Sequence, residues 1–172
     1  MDKCLFLDRD GIVNHDVGYA GRPADFHFMP GIFALCRQAQ QLGYRLVIVT
    51  NQSGIARGYY SEQDFAALCD WVAGRFAEHG ITLDATYHCP HHPDISGPCD
   101  CRKPAPGMLL AAIRDLDIDP ALSIMIGDKP SDMQAARAAG IGQRLLLSEK
   151  STTDAPATAI IAGIDQAADY LS

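Results

Sequence analysis

The chain alternates short apolar runs with longer amphipathic segments. Cys4 to Leu7 is apolar throughout and predicts a first strand. Arg45 to Thr50 is a near-continuous β-branched run, the pattern of a strand buried on both faces. Ala85 to His88, Ser123 to Ile126 and Gln143 to Leu147 predict three more strands, and Ile160-Ile161 a last one at a sheet edge. Between these runs the apolar residues recur at helical spacing. Ile32, Leu35, Cys36, Ala39 and Leu42 share one face of a helix over 31–42, stopped by Gly43. Ser61 and Asp64 stand three apart, as in a capping box, and open a helix that runs to about His79, before Gly80. Phe65, Leu68, Trp71 and Val72 form its core stripe. Further helices are predicted over about 106–116, over about 131–139 with Gly140 as C-cap, and over 164–171. One segment, Cys89 to Pro106, breaks the pattern: it is rich in Pro, Cys, His, Asp and Gly and has no periodicity.

Strand–helix alternation of this kind implies an α/β fold, a Rossmann-like parallel sheet flanked by helices. Ligands of such sheets bind beyond the carboxyl ends of the strands. Chemistry does gather in the corresponding turns: Asp8-Arg9-Asp10-Gly11 after the first strand, Thr50-Asn51-Gln52-Ser53-Gly54 after the second, and Gly127-Asp128-Lys129-Pro130-Ser131-Asp132 after a later one. An Asp after a strand is often only a turn or cap residue. Three strand ends with matched chemistry are harder to explain that way. Carboxylates at adjacent strand ends repel unless a cation sits among them, and oxygen ligands of this type suit Mg²⁺ shared with a substrate phosphate. The polar turn at Thr50 offers a hydroxyl and main-chain N–H groups to phosphate oxygens, and Lys103 and Lys129 supply compact positive charge. These are parts for phosphoryl transfer.

Composition narrows the class. The chain has 172 residues, enough for one domain over 1–172 with a real core. Its net charge of −7 argues against a nucleic-acid partner held by bulk electrostatics, yet allows an anionic small molecule held by a few local cations. No apolar run approaches the ~20 residues a membrane span needs, and the N-terminal run, broken by Asp8, Arg9 and Asp10, is no secretory signal. The expectation is a cytoplasmic protein, and a monomer, since no long exposed apolar stripe is evident. In a reducing compartment the six cysteines are thiols or metal ligands rather than disulfides.

A candidate set of metal ligands falls in the irregular segment. Cys89, His91, Cys99 and Cys101 make a Cys₃His set suited to a closed, structural Zn²⁺ site in a loop at about 88–104. A redox pair, a disulfide or idle thiols are the alternatives, and the residues alone do not choose between His91 and His92. The density of ligands in a loop poor in apolar residues favours metal. Cys4, Cys36 and Cys69 lie on apolar faces and read as core thiols.

Phe6 to Gly11, Val49 to Gly58, Cys101-Arg102-Lys103-Pro104 and Ile126 to Lys129 resemble the motifs of the haloacid dehalogenase (HAD) superfamily of phosphatases, and within it the heptose bisphosphate phosphatases. The resemblance runs from about Phe6 to Ile141. It implies that Asp8 is the nucleophile and forms an aspartyl-phosphate, and that Asp10 is general acid and then base. It further implies that Mg²⁺ lies between Asp8, the main-chain carbonyl of Asp10, and Asp128. Thr50 and Lys103 would hold the phosphoryl group, while Lys129 and Asp132 would orient the metal shell. The superfamily commonly has Thr or Val where this chain has Ile12, which keeps the bulk and loses a hydroxyl. For the thiol loop the resemblance implies structural Zn²⁺, selects His91, and has the metal hold Arg102 and Lys103 over the site.

The resemblance also bears on substrate. Many superfamily members carry a separate cap domain, for which this chain has no room. Val13 to Pro30, Gln52 to Tyr60 and the thiol loop are left to cover the pocket. Asp16, Gly18 and Tyr19 would then face the substrate, as would Asn51, Gln52, Ser53 and Lys129. Arg57 and Arg102 would pair with a second phosphate, as a sugar bisphosphate requires. The implied activity is Mg²⁺-dependent removal of the 7-phosphate of a heptose bisphosphate, in the supply of ADP-heptose for lipopolysaccharide; histidinol-phosphate phosphatase on the same scaffold is the alternative.

Overall fold

The computed structural model describes all 172 residues. Six strands, β1 (Cys4–Leu7), β2 (Arg45–Asn51), β3 (Ala85–Cys89), β4 (Ile124–Gly127), β5 (Gln143–Leu147) and β6 (Ala159–Ile161), pair in parallel in the order β3-β2-β1-β4-β5-β6. Five α-helices accompany them: α1 (Ile32–Gln41), α2 (Glu62–Glu78), α3 (Pro93–Ser96), α4 (Gly107–Asp115) and α5 (Pro130–Ala138). The predicted last helix is present as a 3₁₀ segment, Ile164–Tyr170. Gly163 has no side chain to cap its first turn, and a short terminal segment of this kind readily takes the tighter i→i+3 pattern.

Each central strand sends alternate side chains to opposite faces. Leu5, Leu7, Leu46, Ile48, Ile124 and Ile126 meet α1, α2 and the final 3₁₀ segment. Phe6, Val47, Val49 and Met125 meet α4 and α5 on the other side. This explains why these strands read as unbroken apolar runs: both faces are covered. In α1 the predicted stripe holds for Ile32, Leu35, Cys36 and Ala39, all buried. Leu42 departs from it, exposed, because the helix ends at Gln41 and the chain turns away before the next inward position. The capping box at Ser61 is formed, with Asp64 N–H donating to Ser61 Oγ at 3.0 Å and Ser61 N–H donating to Asp64 Oδ2 at 2.8 Å. The irregular segment contains a single helical turn, α3, which the sequence did not signal; Pro93 opens it and the His92 ring accepts the Asp94 N–H.

The strand order reverses between β1 and β4, and β2 adjoins β1 on the other side. In register, Leu7 lies beside Ile48 and Ile126, so the residues following these three strands share one end of the sheet. Asn51 lies beside Cys89, which brings the start of the thiol loop to the same end. No helix is long and apolar enough to cross a membrane.

Candidate active site

Asp8 leaves β1 buried, and the buried Lys103 reaches it from the far side of the thiol loop, Nζ to Oδ1 at 2.8 Å. The same ammonium lies 2.6 Å from Asp132 Oδ1 and donates to the Val49 carbonyl at 2.9 Å. All three of its N–H bonds are thus taken within the protein. Carboxylate oxygens of Asp8, Asp128 and Asp132 lie within 4.8 Å of one another. Three carboxylates against one ammonium leave an excess of two negative charges. Burial pushes the Asp8 carboxyl well above its usual range; Lys103 pulls it down, and Asp132 and Asp128 push it up again. Burial, then Asp132, raises Asp128. Burial works against the Lys103 ammonium, yet Asp8 and Asp132 hold its pKa above that of an ordinary lysine.

The cluster fits a divalent cation. Its excess charge is that of one such ion, its donors are the hard oxygens that Mg²⁺ selects, and Asp128 Oδ1 is buried with no hydrogen-bond partner. Gly11 keeps the approach to Asp128 open. Its φ of +99° suits glycine alone, and a Cβ there would stand 2.2 Å from Asp128 Oδ2. Ile12 is fully buried in the core, so the departure from Thr or Val is met by packing.

Asp10 sits beside this cluster and is held differently. Its Oδ1 accepts from Arg9 at 3.0 Å and from Asn14 Nδ2 at 2.9 Å, and its Oδ2 accepts from Gln52 Nε2 at 3.1 Å. Arg9 is buried, donates also to the Ala20 carbonyl, and lies over the rings of Phe26 and Phe65. Thr50 is buried, and its hydroxyl accepts from Gln52 Nε2 at 2.8 Å. The Asn51 side chain is engaged with the main chain of Lys103, accepting its N–H at 3.0 Å and donating to its carbonyl at 3.2 Å. Asn51 therefore acts on Lys103 as well as facing the cleft.

A cleft of about 650 Å³ opens over Asp10. All nine residues that sequence reasoning gave to the substrate line it: Asp16, Gly18, Tyr19, Asn51, Gln52, Ser53, Arg57, Arg102 and Lys129. Three more line it, Tyr60, Pro104 and Ser131, which lie in segments the sequence assigned to the site but had no individual role there. At the rim the Tyr19 and Tyr59 rings meet edge to face at 4.7 Å, and the Arg57 guanidinium lies 5.8 Å from the Tyr19 ring centre. The carboxylate partners of Lys103 and the donors to Asp10 were also hidden. Arg9 and Asp132 stand in strand-end turns and Asn14 in the segment from Val13 to Pro30, but their partners are set by tertiary contact.

The thiols of Cys89, Cys99 and Cys101 gather within 4.8 Å, with Cys89 and Cys99 at 3.6 Å. His91 is not among them. Its Nδ1 lies 3.3 Å from Ser96 Oγ, at the end of the turn α3 that the sequence did not signal. Cys4 and Cys36 are core thiols, and Cys69 is half-buried.

Three carboxylates around one buried lysine at the strand ends of this parallel sheet, beside a cleft rimmed by cations, define a phosphoric monoester hydrolase of the HAD class. The comparisons narrow that class. The family model described as HAD-hyrolase-like matches residues 100–171. D-glycero-beta-D-manno-heptose-1,7-bisphosphate 7-phosphatase of Yersinia pestis is 51% identical over 148 residues, 83% of this chain and 79% of that one. D-glycero-alpha-D-manno-heptose-1,7-bisphosphate 7-phosphatase of Campylobacter jejuni is 52% identical over 148 residues, 86% of this chain and 84% of that one. The crystal structure of D,D-heptose 1,7-bisphosphate phosphatase from B. bronchiseptica, complexed with magnesium and phosphate, is 32% identical, with a TM-score of 0.86 over 98% of this chain and 97% of that one. The chain belongs to the heptose-1,7-bisphosphate 7-phosphatase family of the HAD superfamily. These relatives favour heptose bisphosphate chemistry over histidinol-phosphate hydrolysis.

Proposed function

We propose that this chain removes the 7-phosphate from D-glycero-D-manno-heptose 1,7-bisphosphate through an aspartyl-phosphate on Asp8. The observation that carries this is the buried cluster of Asp8, Asp128, Asp132 and Lys103 beside a cleft whose rim bears Arg57, Arg102 and Lys129. The cluster suits one phosphoryl group at the bottom, and the rim suits a second phosphate held at a distance.

Asp8, Asp128 and the Asp10 main-chain carbonyl would hold Mg²⁺, which when bound neutralises charge on the phosphoryl oxygens and on the carboxylates. An Asp8 carboxylate oxygen attacks phosphorus, and the bond from phosphorus to the sugar oxygen breaks. Asp10 gives its proton to that oxygen as it leaves. Asp10 then takes a proton from a water, which attacks the aspartyl-phosphate and frees phosphate and Asp8. The Thr50 hydroxyl accepts from Gln52 at 2.8 Å, and its own proton, which within the protein reaches only the Asn51 carbonyl at 3.5 Å, can turn to a phosphoryl oxygen. Lys103 places its charge beside the attacking carboxylate, and Arg9 and Asn14 aim Asp10.

The proposal extends to a monomeric, cytoplasmic protein, a single domain over 1–172 acting on a small sugar bisphosphate, with no nucleic acid or membrane as partner. Its product, the heptose 1-phosphate, suits activation to ADP-heptose for lipopolysaccharide. Structural Zn²⁺ would take Cys89, Cys99 and Cys101, with His91 as the fourth ligand after rotation away from Ser96. Support for it is the gathering of three thiols in one segment, between a strand end and Lys103.

The deciding assay is phosphate release with Mg²⁺ from both anomers of the bisphosphate and from histidinol phosphate at equal concentration. The expected result is the highest kcat/KM for one of the heptose anomers. Relatives of nearly equal identity carry beta and alpha names, so both anomers belong in the assay. A higher value for histidinol phosphate overturns the substrate assignment.

A further inference from the structure

Tyr60 closes the Gln52 to Tyr60 segment, two residues beyond the motif that ends at Gly58 and one residue before the Ser61 cap of α2. The capping box anchors that turn, and the ring is wedged between two glycines. A Cβ on Gly54 would come within 2.5 Å of Tyr60 Cε1, and one on Gly21 within 2.8 Å of Cδ1, so both positions leave room for this side chain. The Tyr60 hydroxyl donates a short hydrogen bond to Gln52 Oε1. Gln52 is buried, and its Nε2 has two protons and two acceptors: Asp10 Oδ2 at 3.1 Å and Thr50 Oγ1 at 2.8 Å.

An amide can sit either way round in such a pocket, and the two orientations are chemically opposite. With the oxygen towards Tyr60, the amide donates to both Asp10 and Thr50. Reversed, it would present an acceptor to a carboxylate, and the Thr50 hydroxyl would have to turn its proton inward to meet it. A neutral phenol can donate to the oxygen and so selects the first orientation. Burial holds the Tyr60 phenol neutral, pushed up to about 12.

We propose that Tyr60 is a positioning residue that locks the Gln52 amide, and through it aims the Asp10 carboxyl at the leaving-group oxygen and frees the Thr50 proton for the phosphoryl group. The inference rests on the phosphatase chemistry proposed above, because it assigns Asp10 as the acid. It adds a device reaching the acid from outside the motif residues.

The test is Tyr60→Phe, which keeps the ring between the glycines and deletes the hydroxyl. It is assayed on a primary alkyl phosphate that the wild type hydrolyses, on p-nitrophenyl phosphate, and in a Gln52→Ala background. On the alkyl ester the expected fall in kcat/KM is about 5–10-fold, the scale of one hydrogen bond, carried by kcat with KM within about twofold. The fall should be smaller on the aryl ester, whose leaving group departs without a proton. In the Gln52→Ala background the same change should cost less than about twofold, since the path through the amide is already cut. Activity of Y60F within twofold of wild type overturns the proposal. So does an effect confined to KM, which would mark a direct substrate contact, or an equal fall with and without Gln52. Failure of the heptose assignment shows in the wild type alone, whereas failure of the relay shows only in these ratios.

Discussion

The two halves of the cleft are built to different rules. At the strand ends, Asp8, Thr50, Gln52, Lys103 and Asp132 are all buried and each has a fixed partner. At the rim, Asp16, Gly18, Tyr19, Arg57 and Lys129 are exposed, and they come from loops. The buried half concentrates charge where the surroundings screen it least, as suits a group that must act on one phosphorus atom. The rim keeps its cations in water, where they select by charge and adapt by side-chain rotation. The difference fits the proposed division of labour, in which the buried half carries the reaction and the rim the choice of substrate.

The largest expected effect comes from Asp8→Asn. It removes the proposed nucleophile and one of three crowded carboxylates, so turnover should fall by about 10³-fold or more while Tm stays at or above the wild-type value. Appreciable residual turnover, read by phosphate release, would remove Asp8 from its role. Next is Cys101→Ser, which bears on the loop joining the halves. Bound zinc, measured on the purified protein, should fall below one ion per chain. Tm should fall by about 5 °C or more, taking about 2–4 °C per kcal/mol at this size. Full zinc occupancy in the variant would break the ligand assignment.

A smaller change is expected from Arg57→Ala at the rim. Losing one charged hydrogen bond to a second phosphate should lower kcat/KM for the bisphosphate about 10–100-fold, with much less effect on a sugar monophosphate. Equal losses on the two substrates would mean that the rim does not read the second phosphate. Smallest is the capping box that anchors the turn carrying Tyr60. The Ser61 main-chain N–H and hydroxyl hold the Asp64 carboxyl below its usual range. The stabilisation is complete above the unfolded carboxylate value and is lost as pH falls through the lower folded one. Wild type and Asp64→Asn should therefore differ in Tm at neutral pH and converge in acid. A difference that persists unchanged in acid, where the carboxyl is protonated in both states, would show that the carboxylate charge is not its source.

Much of the fold could be read along the chain. The alternation of apolar runs with amphipathic segments, the capping box at Ser61 and the carboxylate turns after β1 and β4 are local signals, each written within a few residues. Given a parallel sheet, those turns had to share one end, so the clustering of Asp8 with Asp128 and the residues of the cleft were within reach of the sequence. Local signals failed at boundaries. Leu42 fits the α1 stripe by spacing yet lies past the last turn, and the closing segment tightened into a 3₁₀ helix.

What only the tertiary structure decided are pairings between residues far apart in the chain. Lys103 lies 95 residues from Asp8, and its second carboxylate, Asp132, belongs to the turn after another strand. Asp10 takes donors from its own turn and from Gln52, 42 residues on, and Gln52 is held in turn by Tyr60. His91 has the composition of a ligand but bonds Ser96, because a helical turn unmarked by any periodicity stands beside it. The physical reason is one of range. Periodicity and capping act over a turn or two of backbone, so the sequence states them directly. Hydrogen-bond direction, charge balance and burial at a site depend on which distant side chains the sheet order brings together, and that is set only when the chain has closed on itself.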